Sequence, residues 1–350
     1  MKVGLLLNSD NSLFPNYSIK FREILEKNGI PFEIIDPNSA ILTEDLGKCT
    51  HLLFRHSQGD TDIMLYDSIF HIAKDILHLK CSPDYDTFWS YENKIKEYYL
   101  LNSNGFPVVE TRIFWNHVNA YRYLQQAEFP IVIKMYKGAG SSNVVKIGNV
   151  KDGKRIIDQV FGAGVKFGKL PVKSNLFSFS NVGLSAFAHN KIRAILIKLG
   201  FLDRSNPYSE WQIQKDAILF QKFLPDNKFD TRVTVIGKRA FAFRRFVRTN
   251  DFRASGSGLM DVNPGEIDIR CISTALEISG KLNFETMAYD FIYNENKEPK
   301  ICEISYCFVD KVVNECSGFW DEHLSWHEGH NWPQYYQLID FLQIDDLVSL

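Results

Sequence analysis

Two acidic residues interrupt a pair of apolar segments near the C-terminal end of the chain. Asp290 lies within residues 288–292 and Glu303 within residues 301–305, and a polar turn at residues 294–296 separates the two segments. If the segments pair as a β-hairpin, Asp290 and Glu303 project from one face, and Ser305 follows on that face. Two carboxylates on a buried face repel each other unless a cation lies between them. The pattern therefore predicts a site for a hard cation such as Mg²⁺, with two solvated acids at a strand edge as the alternative.

A glycine- and serine-rich segment follows an apolar strand in the middle of the chain. Residues 131–134 predict a strand that ends at Lys134. The small residues after it are Gly138, Gly140, Ser141 and Ser142. Backbone N–H groups in such a segment can approach phosphate oxygens, and a lysine adds positive charge. Both the P-loop and the Rossmann glycine patterns are absent, so an ordinary Gly-Ser hairpin loop is the alternative.

Arginines concentrate in a third segment. Six of them lie between residues 232 and 253, namely Arg232, Arg239, Arg244, Arg245, Arg248 and Arg253. Arginine suits planar carboxylate and phosphate groups, so an anionic ligand is indicated. The alternative, a solvated basic face, is disfavoured because several of these residues alternate with phenylalanines.

The remaining segments predict a chain of α/β type. Short apolar runs alternate with an amphipathic segment that ends at Asn28-Gly29, which predicts a small open α/β domain over about residues 1–85. Residues 148–215 are interpreted as an insertion. Within it, the pattern of residues 192–199 predicts a basic, apolar helix. The tail from His323 is predicted to be helical and aromatic.

Composition excludes several classes of function. With 40 basic and 42 acidic residues the net charge is -2, so no basic excess is available for nucleic acid. No run of about 18 apolar residues occurs, so no membrane span is expected. The N-terminal apolar run is too short for a signal peptide, and the six cysteines form no C-x-x-C pair. These features predict a cytoplasmic protein with reduced thiols.

Taken in order, the three segments resemble those of the ATP-grasp superfamily, with the nearest likeness to the glutamate-adding ligases that modify ribosomal protein tails. The resemblance implies an α/β (α+β) chain with an N-terminal Rossmann-like pre-ATP-grasp domain at residues 1–85. A small ATP-grasp subdomain at 86–215, containing the insertion at 148–215, and a C-terminal subdomain at 216–350 would follow it.

The resemblance also implies residue roles. Lys94 and Lys134 correspond to the nucleotide lysines, and residues 138–142 to a loop over the phosphates. The hinge that binds adenine would be Gln221, Lys222, Phe223 and Leu224, and the other nucleotide contacts would be Asp230, Arg253, Ala254 and Ser255. Asp290 and Glu303 would hold the metal, with Ser305 in a position where the family has asparagine. Arg232, Arg245 and Arg253 would stabilise the transferring phosphoryl group and the acyl oxyanion.

The implied activity is that of an ATP- and Mg²⁺-dependent carboxylate–amine ligase, with Mn²⁺ as an alternative metal and a thiol as an alternative acceptor. The acid would be activated as an acyl phosphate, with release of ADP and phosphate. A small-molecule, sugar-acid or peptide carboxylate and an amine are the expected partners, and a homo-oligomer is compatible with the sequence. A phosphotransferase on the same scaffold and a non-catalytic ATP-binding module are the alternatives, the second because of Ser305.

Two further features of the sequence have more than one interpretation. Arg55 is either a contact for the acid substrate or a surface arginine. The segment 323–333, which is rich in histidine and tryptophan, is an aromatic cap, a lid over the acceptor or, least in keeping with metal-ligand spacing, a zinc site.

Overall fold

A computed structural model describes residues 1–6, 16–138, 142–166, 170–171, 212–248 and 251–350. The N-terminal part is a parallel four-stranded sheet in the order β2-β1-β3-β4. Its strands are β1 (Val3–Leu6), β2 (Phe32–Ile35), β3 (His51–Leu53) and β4 (Lys80–Ser82). The helices around it are α1 (Asn16–Lys27), α2 (Leu42–Leu46), α3 (Asp60–His71) with a π-helical turn (Ile72–Ile76), and α4 (Tyr85–Phe88). Gly29 follows α1 with φ +62°, a conformation that suits glycine, so the predicted helix end is confirmed.

A small antiparallel sheet forms the middle of the chain, in the order β5-β8-β6-β7. Its strands are β5 (Thr111–Phe114), β6 (Ile131–Lys134), β7 (Val144–Ile147) and β8 (Ile218–Lys222). The accompanying helices are α5 (Lys94–Ser103), α6 (His117–Leu124) and α7 (Val150–Val160). The apolar faces of α6 and α7 share one core with this sheet, where Leu124, Ile157 and Phe220 are fully buried or nearly so.

A larger antiparallel sheet follows, in the order β13-β12-β9-β10-β14-β15, with β11 paired to β10. Its strands are β9 (Phe229–Ile236), β10 (Arg239–Phe246), β11 (Met260–Asp261), β12 (Thr286–Tyr293), β13 (Pro299–Ser305), β14 (Gly318–Trp320) and β15 (Trp326–Glu328). A 3₁₀ turn (Pro264–Glu266) and helices α8 (Ile269–Lys281), α9 (Asp310–Glu315) and α10 (Pro333–Leu342) complete the chain.

The two faces of the large sheet have different environments because side chains alternate along each strand. One face packs on α8, where Val233, Tyr289 and Cys271 belong to one core. The other face packs at one end on Phe308 and α10. At its opposite end this second face carries the charged residues of β9, β10, β12 and β13.

The mixed α/β class predicted from the sequence is confirmed. The predicted hairpin that carries Asp290 and Glu303 is also confirmed, as β12 and β13. The predicted tail helix is only partly right, because residues 326–328 are a strand that pairs with β14 and the helix begins at Pro333. The segment interpreted as an insertion from residue 148 opens with α7, whose apolar face is buried. The helix predicted at 192–199 falls outside the described residues. No helix in the described ranges is long and apolar enough to cross a membrane.

Candidate active site

A cleft separates the small antiparallel sheet from the charged end of the large one. Its walls come from β6 and β8 on one side and from β9, β12 and β13 on the other, with residues 252–255 closing one edge. Including the part open to solvent, its volume is about 820 Å³.

Most of the residues predicted from the sequence line this cleft. They are Lys94, Lys134, Gly138, Gln221, Lys222, Phe223, Leu224, Asp230, Arg253, Ala254, Ser255, Asp290 and Glu303. Ser142, Arg232, Arg245 and Ser305 are described but are not among the lining residues. Gly140 and Ser141 fall outside the described residues.

The acidic pair sits where the hairpin argument predicts it. Asp290 is directly opposite Glu303 in the register of β12 and β13, and Ser305 is opposite Ala288. Both carboxylates line the cleft, whereas the Ser305 hydroxyl donates to the carbonyl oxygen of Cys307 at 3.2 Å.

Two lysines approach the acidic pair from the small sheet and its preceding helix. Asn93 caps α5 through hydrogen bonds from the backbone N–H groups of residues 95 and 96, which fixes Lys94 at the first position of the helix. Lys94 Nζ lies 2.8 Å from Glu303 Oε1 and donates to the carbonyl oxygen of Gly138 at 3.0 Å. Lys134, at the end of β6, donates to the carbonyl oxygen of Cys302 at 3.2 Å.

Burial and neighbouring charges act against each other on these groups. Burial alone would raise the pKa of Glu303, but Lys94 and Lys134 outweigh it and lower that pKa. Burial alone would lower the pKa of Lys94, but Glu303 and Glu97 outweigh it and raise that pKa. The contacts therefore keep both partners charged.

Two buried carboxyl groups beside Lys94 were not singled out by the sequence argument. Burial raises the pKa of Glu97 to about 8 and that of Glu92 to about 7, against the opposing effect of Lys94. Glu97 also accepts the backbone N–H of Ile304 at 3.2 Å, so it ties α5 to β13. Its position three residues after Lys94 is the one signal in the sequence, because residues i and i+3 share a helix face.

Asp290 is enclosed by two guanidinium groups. Arg232 Nε and Nη2 donate to its two carboxylate oxygens at 2.6 Å and 2.8 Å. Arg245 Nη2 lies 2.7 Å from Asp290 Oδ2. Burial alone would raise the pKa of Asp290, but the two arginines outweigh it and hold the pKa well below its usual range.

Arg245 joins Asp290 to Asp230. Its Nε and Nη2 donate to the carboxylate oxygens of Asp230 at 2.8 Å and 2.6 Å, in the geometry of a bidentate pair. The register explains the contact, because Asp230 is opposite Arg245 on β10 and Arg232 is opposite Asp290 on β12. The four side chains form an alternating chain of two acids and two bases, which we call the aspartate–arginine chain.

The carboxylates of Glu303 and Asp290 are the candidate ligands for a divalent cation. Glu303 fits, because its carboxylate lines the cleft and 34% of its side chain is exposed. Asp290 has a suitable position and charge, but both of its oxygens accept guanidinium N–H groups. Among the described residues, no three His, Cys, Asp or Glu side chains are grouped as a metal site.

The other end of the cleft is apolar. Phe223, at the end of β8, and Phe252 stack edge to face with centroids 5.8 Å apart, and Lys146 Nζ lies 4.5 Å from the centre of the Phe223 ring. The side-chain amide of Gln221 donates to Thr111 Oγ1 at 3.1 Å, and the Lys222 ammonium group pairs with the exposed Glu295 at 2.9 Å. Phe252 was not among the predicted site residues, although it directly precedes Arg253.

Arg253 reaches the cleft from the segment that follows β10. Its guanidinium pairs with Asp251 at 2.9 Å and donates to the carbonyl oxygen of Val144, on β7, at 3.5 Å. Arg253 therefore spans the cleft from the large sheet to the small one.

The two features left open by the sequence have definite surroundings. Arg55 is buried, so it is not a surface arginine; its guanidinium lies 3.7 Å from the centre of the Tyr17 ring and donates to the carbonyl oxygen of Phe308 at 2.5 Å. In the tail, His327 stacks on Phe319 with centroids 5.1 Å apart and contacts Asp321 at 2.7 Å. These contacts hold β15 against β14.

Comparison with known proteins identifies the architecture. No protein-family model matches the sequence, and the search of curated proteins returns no significant match. Solved structures do match over nearly the whole chain. D-cycloserine synthetase DcsG aligns with a TM-score of 0.56 at 12% identity, covering 98% of this chain and 99% of that one. A RimK domain protein, ATP-grasp, from Sphaerobacter thermophilus aligns with a TM-score of 0.54 at 13% identity, covering 98% and 100%.

A third match contains a bound nucleotide. N5-carboxyaminoimidazole synthase from Aspergillus clavatus, solved in complex with ADP and an aminoimidazole ribonucleotide, aligns with a TM-score of 0.56 at 10% identity and covers 98% of this chain and 77% of that one. Sequence identities this low establish shared architecture. The chain has the ATP-grasp fold, as the resemblance in its motifs implies.

Proposed function

We propose that this chain is an ATP-dependent carboxylate–amine ligase that forms an amide bond and releases ADP and phosphate. The observation that carries the proposal is the two-ended cleft, with aromatic and aliphatic side chains at one end and lysines, arginines and carboxylates at the other. A nucleoside triphosphate has the same division between an apolar base and a polyanionic tail. The fold similarity to synthetases and to a RimK-type protein supports the reaction class.

In this proposal the base occupies the apolar end, between Val132 and Ile292, and its edge faces the backbone of Gln221, Lys222, Phe223 and Leu224. The phosphates extend towards Lys94 and Lys134. Asp230 faces the ribose side, and Ala254 and Ser255 contact the triphosphate together with Arg253. Gly138 lines the wall beside the phosphates.

Mg²⁺, or Mn²⁺ in its place, would be held by Glu303 and Asp290, where it would neutralise phosphate charge. Asp290 can take part when Arg232 turns from the carboxylate to a phosphate oxygen. Arg232 would then exchange a carboxylate partner for a phosphate partner of similar geometry. Ser305, held by the Cys307 carbonyl, would contribute only after rotation of its hydroxyl.

The reaction needs no covalent enzyme nucleophile. A carboxylate oxygen of the acid attacks the γ-phosphorus, the bond to the β-phosphate oxygen breaks, and ADP leaves. The amine then attacks the acyl carbon, loses a proton, and phosphate departs. Arg232 and Arg253 lie near enough to the cleft to stabilise the transferring phosphoryl group, while Arg245 holds the two aspartates in place. Exclusion of water by the closed cleft would protect the acyl phosphate.

The test is an ADP-release screen over amino acids, sugar acids and peptide acids with hydroxylamine as the acceptor. The proposal predicts that hydroxamate forms together with ADP. Glu303→Gln should abolish turnover with the fold intact, and so should Asp290→Asn. Glu298→Gln, an equivalent change at an exposed position of the same hairpin, should leave turnover unchanged.

One observation favours a second candidate. Ser305 is turned towards Cys307, which leaves the hairpin with two carboxylates in the cleft and suits a nucleotide-binding module without catalysis. Tight ATP binding with no ADP release for any acid would support that module. ADP release with a stable phosphorylated product would instead identify a phosphotransferase.

A further inference from the structure

Lys137 lies at the boundary between β6 and the glycine-rich segment, and its backbone is held on both sides. Its N–H donates to Gln214 Oε1 at 2.8 Å, and its carbonyl oxygen accepts Gln214 Nε2 at 3.1 Å. The same carbonyl oxygen accepts Asn143 Nδ2 at 3.3 Å. Gln214 is almost fully buried, so its amide acts as a fixed clamp on this backbone.

The side chain of Lys137 points to a different part of the molecule. Its ammonium group forms an ion pair with Asp60, the first residue of α3 in the N-terminal parallel sheet domain. Only 11% of the Lys137 side chain and 17% of the Asp60 side chain are exposed, so solvent screens the pair weakly. The other carboxylate oxygen of Asp60 accepts the backbone N–H of Gln212 at 2.7 Å. Asp60 therefore contacts both chain segments that the Gln214 amide holds together, one at Lys137 and the other at Gln212.

Gly138, the next residue, contacts the proposed phosphate site. Its carbonyl oxygen accepts Lys94 Nζ, and it lines the cleft itself. A Cβ atom at this position would lie 2.5 Å from the carbonyl oxygen of Ser142, so the two ends of the glycine-rich segment are in close contact. A small displacement of Lys137 therefore moves both the cleft wall and the acceptor of Lys94.

We propose that Asp60 is a positioning residue that sets the Lys137–Gly138 backbone for the nucleotide phosphates. Its effect on nucleotide binding rests on the proposed function. The N-terminal domain thereby contributes to the phosphate site through a single carboxylate, 77 residues before the lysine that it holds. Without that carboxylate, the Lys137 ammonium group would lose its buried partner and turn towards solvent, and Gly138 would follow.

The experiment compares Asp60→Asn with Asp67→Asn, an identical change at an exposed position on the same helix. Two quantities are measured in the full chain, namely hydrogen exchange at residues 135–138 without nucleotide and the affinity for Mg²⁺ and AMP-PNP. The two side chains form one coupled contact, so Asp60→Asn should accelerate exchange and weaken AMP-PNP binding by about tenfold each, which corresponds to about 1.4 kcal/mol. Asp67→Asn should change neither by more than about twofold.

Two more variants separate positioning from a general loss of structure. Asp60→Glu keeps the charge and should recover most of both effects. Lys137→Gln should give the same change as Asp60→Asn, and the double variant should be no worse than either, because the two residues act through one contact. Additive effects would overturn the proposal.

The outcomes also distinguish this proposal from the one on function. If the wild-type chain does not bind AMP-PNP, the proposed function fails, and exchange at residues 135–138 still decides whether Asp60 positions the backbone. If Asp60→Asn exchanges like Asp67→Asn, the positioning role is wrong. If exchange accelerates while AMP-PNP affinity is unchanged, the effect on the phosphate site is wrong.

Discussion

Replacing Arg245 with glutamine would break the aspartate–arginine chain at its centre. The guanidinium lies between Asp230 and Asp290, and the exposed fractions of the three side chains are 9%, 9% and 5%. After the substitution the two carboxylates would face each other, and Arg232 would remain paired with Asp290. We expect a strong loss of stability, because a buried charge without a partner is costly.

The size of the effect follows from the burial of the pair. Removal of one partner from a buried ion pair costs about 3–5 kcal/mol, and we expect the change in the free energy of unfolding to fall in that range. The loss should be larger at pH 8 than at pH 4. Without the guanidinium, the folded state would retain protons on its carboxyl groups at a pH where the unfolded chain has released them.

The assay is equilibrium urea unfolding of the wild type and the variant at both pH values. Lys238→Gln is the matched control, because Lys238 lies in the turn that joins β9 to β10 and pairs with Glu322 at the surface, with side-chain exposures of 75% and 46%. An exposed pair contributes at most about 1 kcal/mol. The double variant Asp230→Asn/Arg245→Gln should recover part of the loss. A cost below about 1 kcal/mol for Arg245→Gln would refute this reasoning.

Three further predictions concern other parts of the chain. Glu285 is half-buried and accepts a hydrogen bond from Ser82 Oγ at 2.6 Å. Partial burial raises its pKa from 4.5 to about 7, so the folded state loses up to about 3 kcal/mol as the pH rises through this interval, and Glu285→Gln should remove that loss in urea unfolding between pH 4 and pH 8. Gly138→Ala places a methyl group 2.5 Å from the Ser142 carbonyl oxygen and should weaken AMP-PNP binding at least about tenfold in calorimetry, with an unchanged far-ultraviolet circular dichroism spectrum. Phe252→Ala removes the aromatic contact at the mouth of the cleft and should weaken AMP-PNP about fivefold, whereas an unchanged affinity would show that this contact is not used.

The hairpin with Asp290 and Glu303 could be predicted from the sequence because both its signals are local. A period of two assigns the faces of a strand, and a polar turn of a few residues sets the pairing. The same holds for the strand that ends at Lys134 and for the helix that ends before Gly29. The order of the motifs was enough to indicate the fold.

The side chains that surround Asp290 could not be predicted from the sequence, because they depend on which strands are neighbours in the sheet. Arg232 and Arg245 contact Asp290 only because β9 pairs with both β10 and β12, and no local pattern states that pairing. The contact of Asp60 with Lys137 likewise depends on which distant segments are neighbours in the fold. Arg55 was judged from its position after a strand, but its burial is decided by Tyr17 and Phe308, which arrive from distant segments.

The most direct test of the central proposal is a crystal structure of the chain with Mg²⁺ and AMP-PNP. We expect the adenine beside the hinge at the end of β8, the triphosphate within hydrogen-bonding distance of Lys94 and Lys134, and the cation on Glu303. Nucleotide bound elsewhere, or a cleft that stays empty at saturating AMP-PNP, would contradict it.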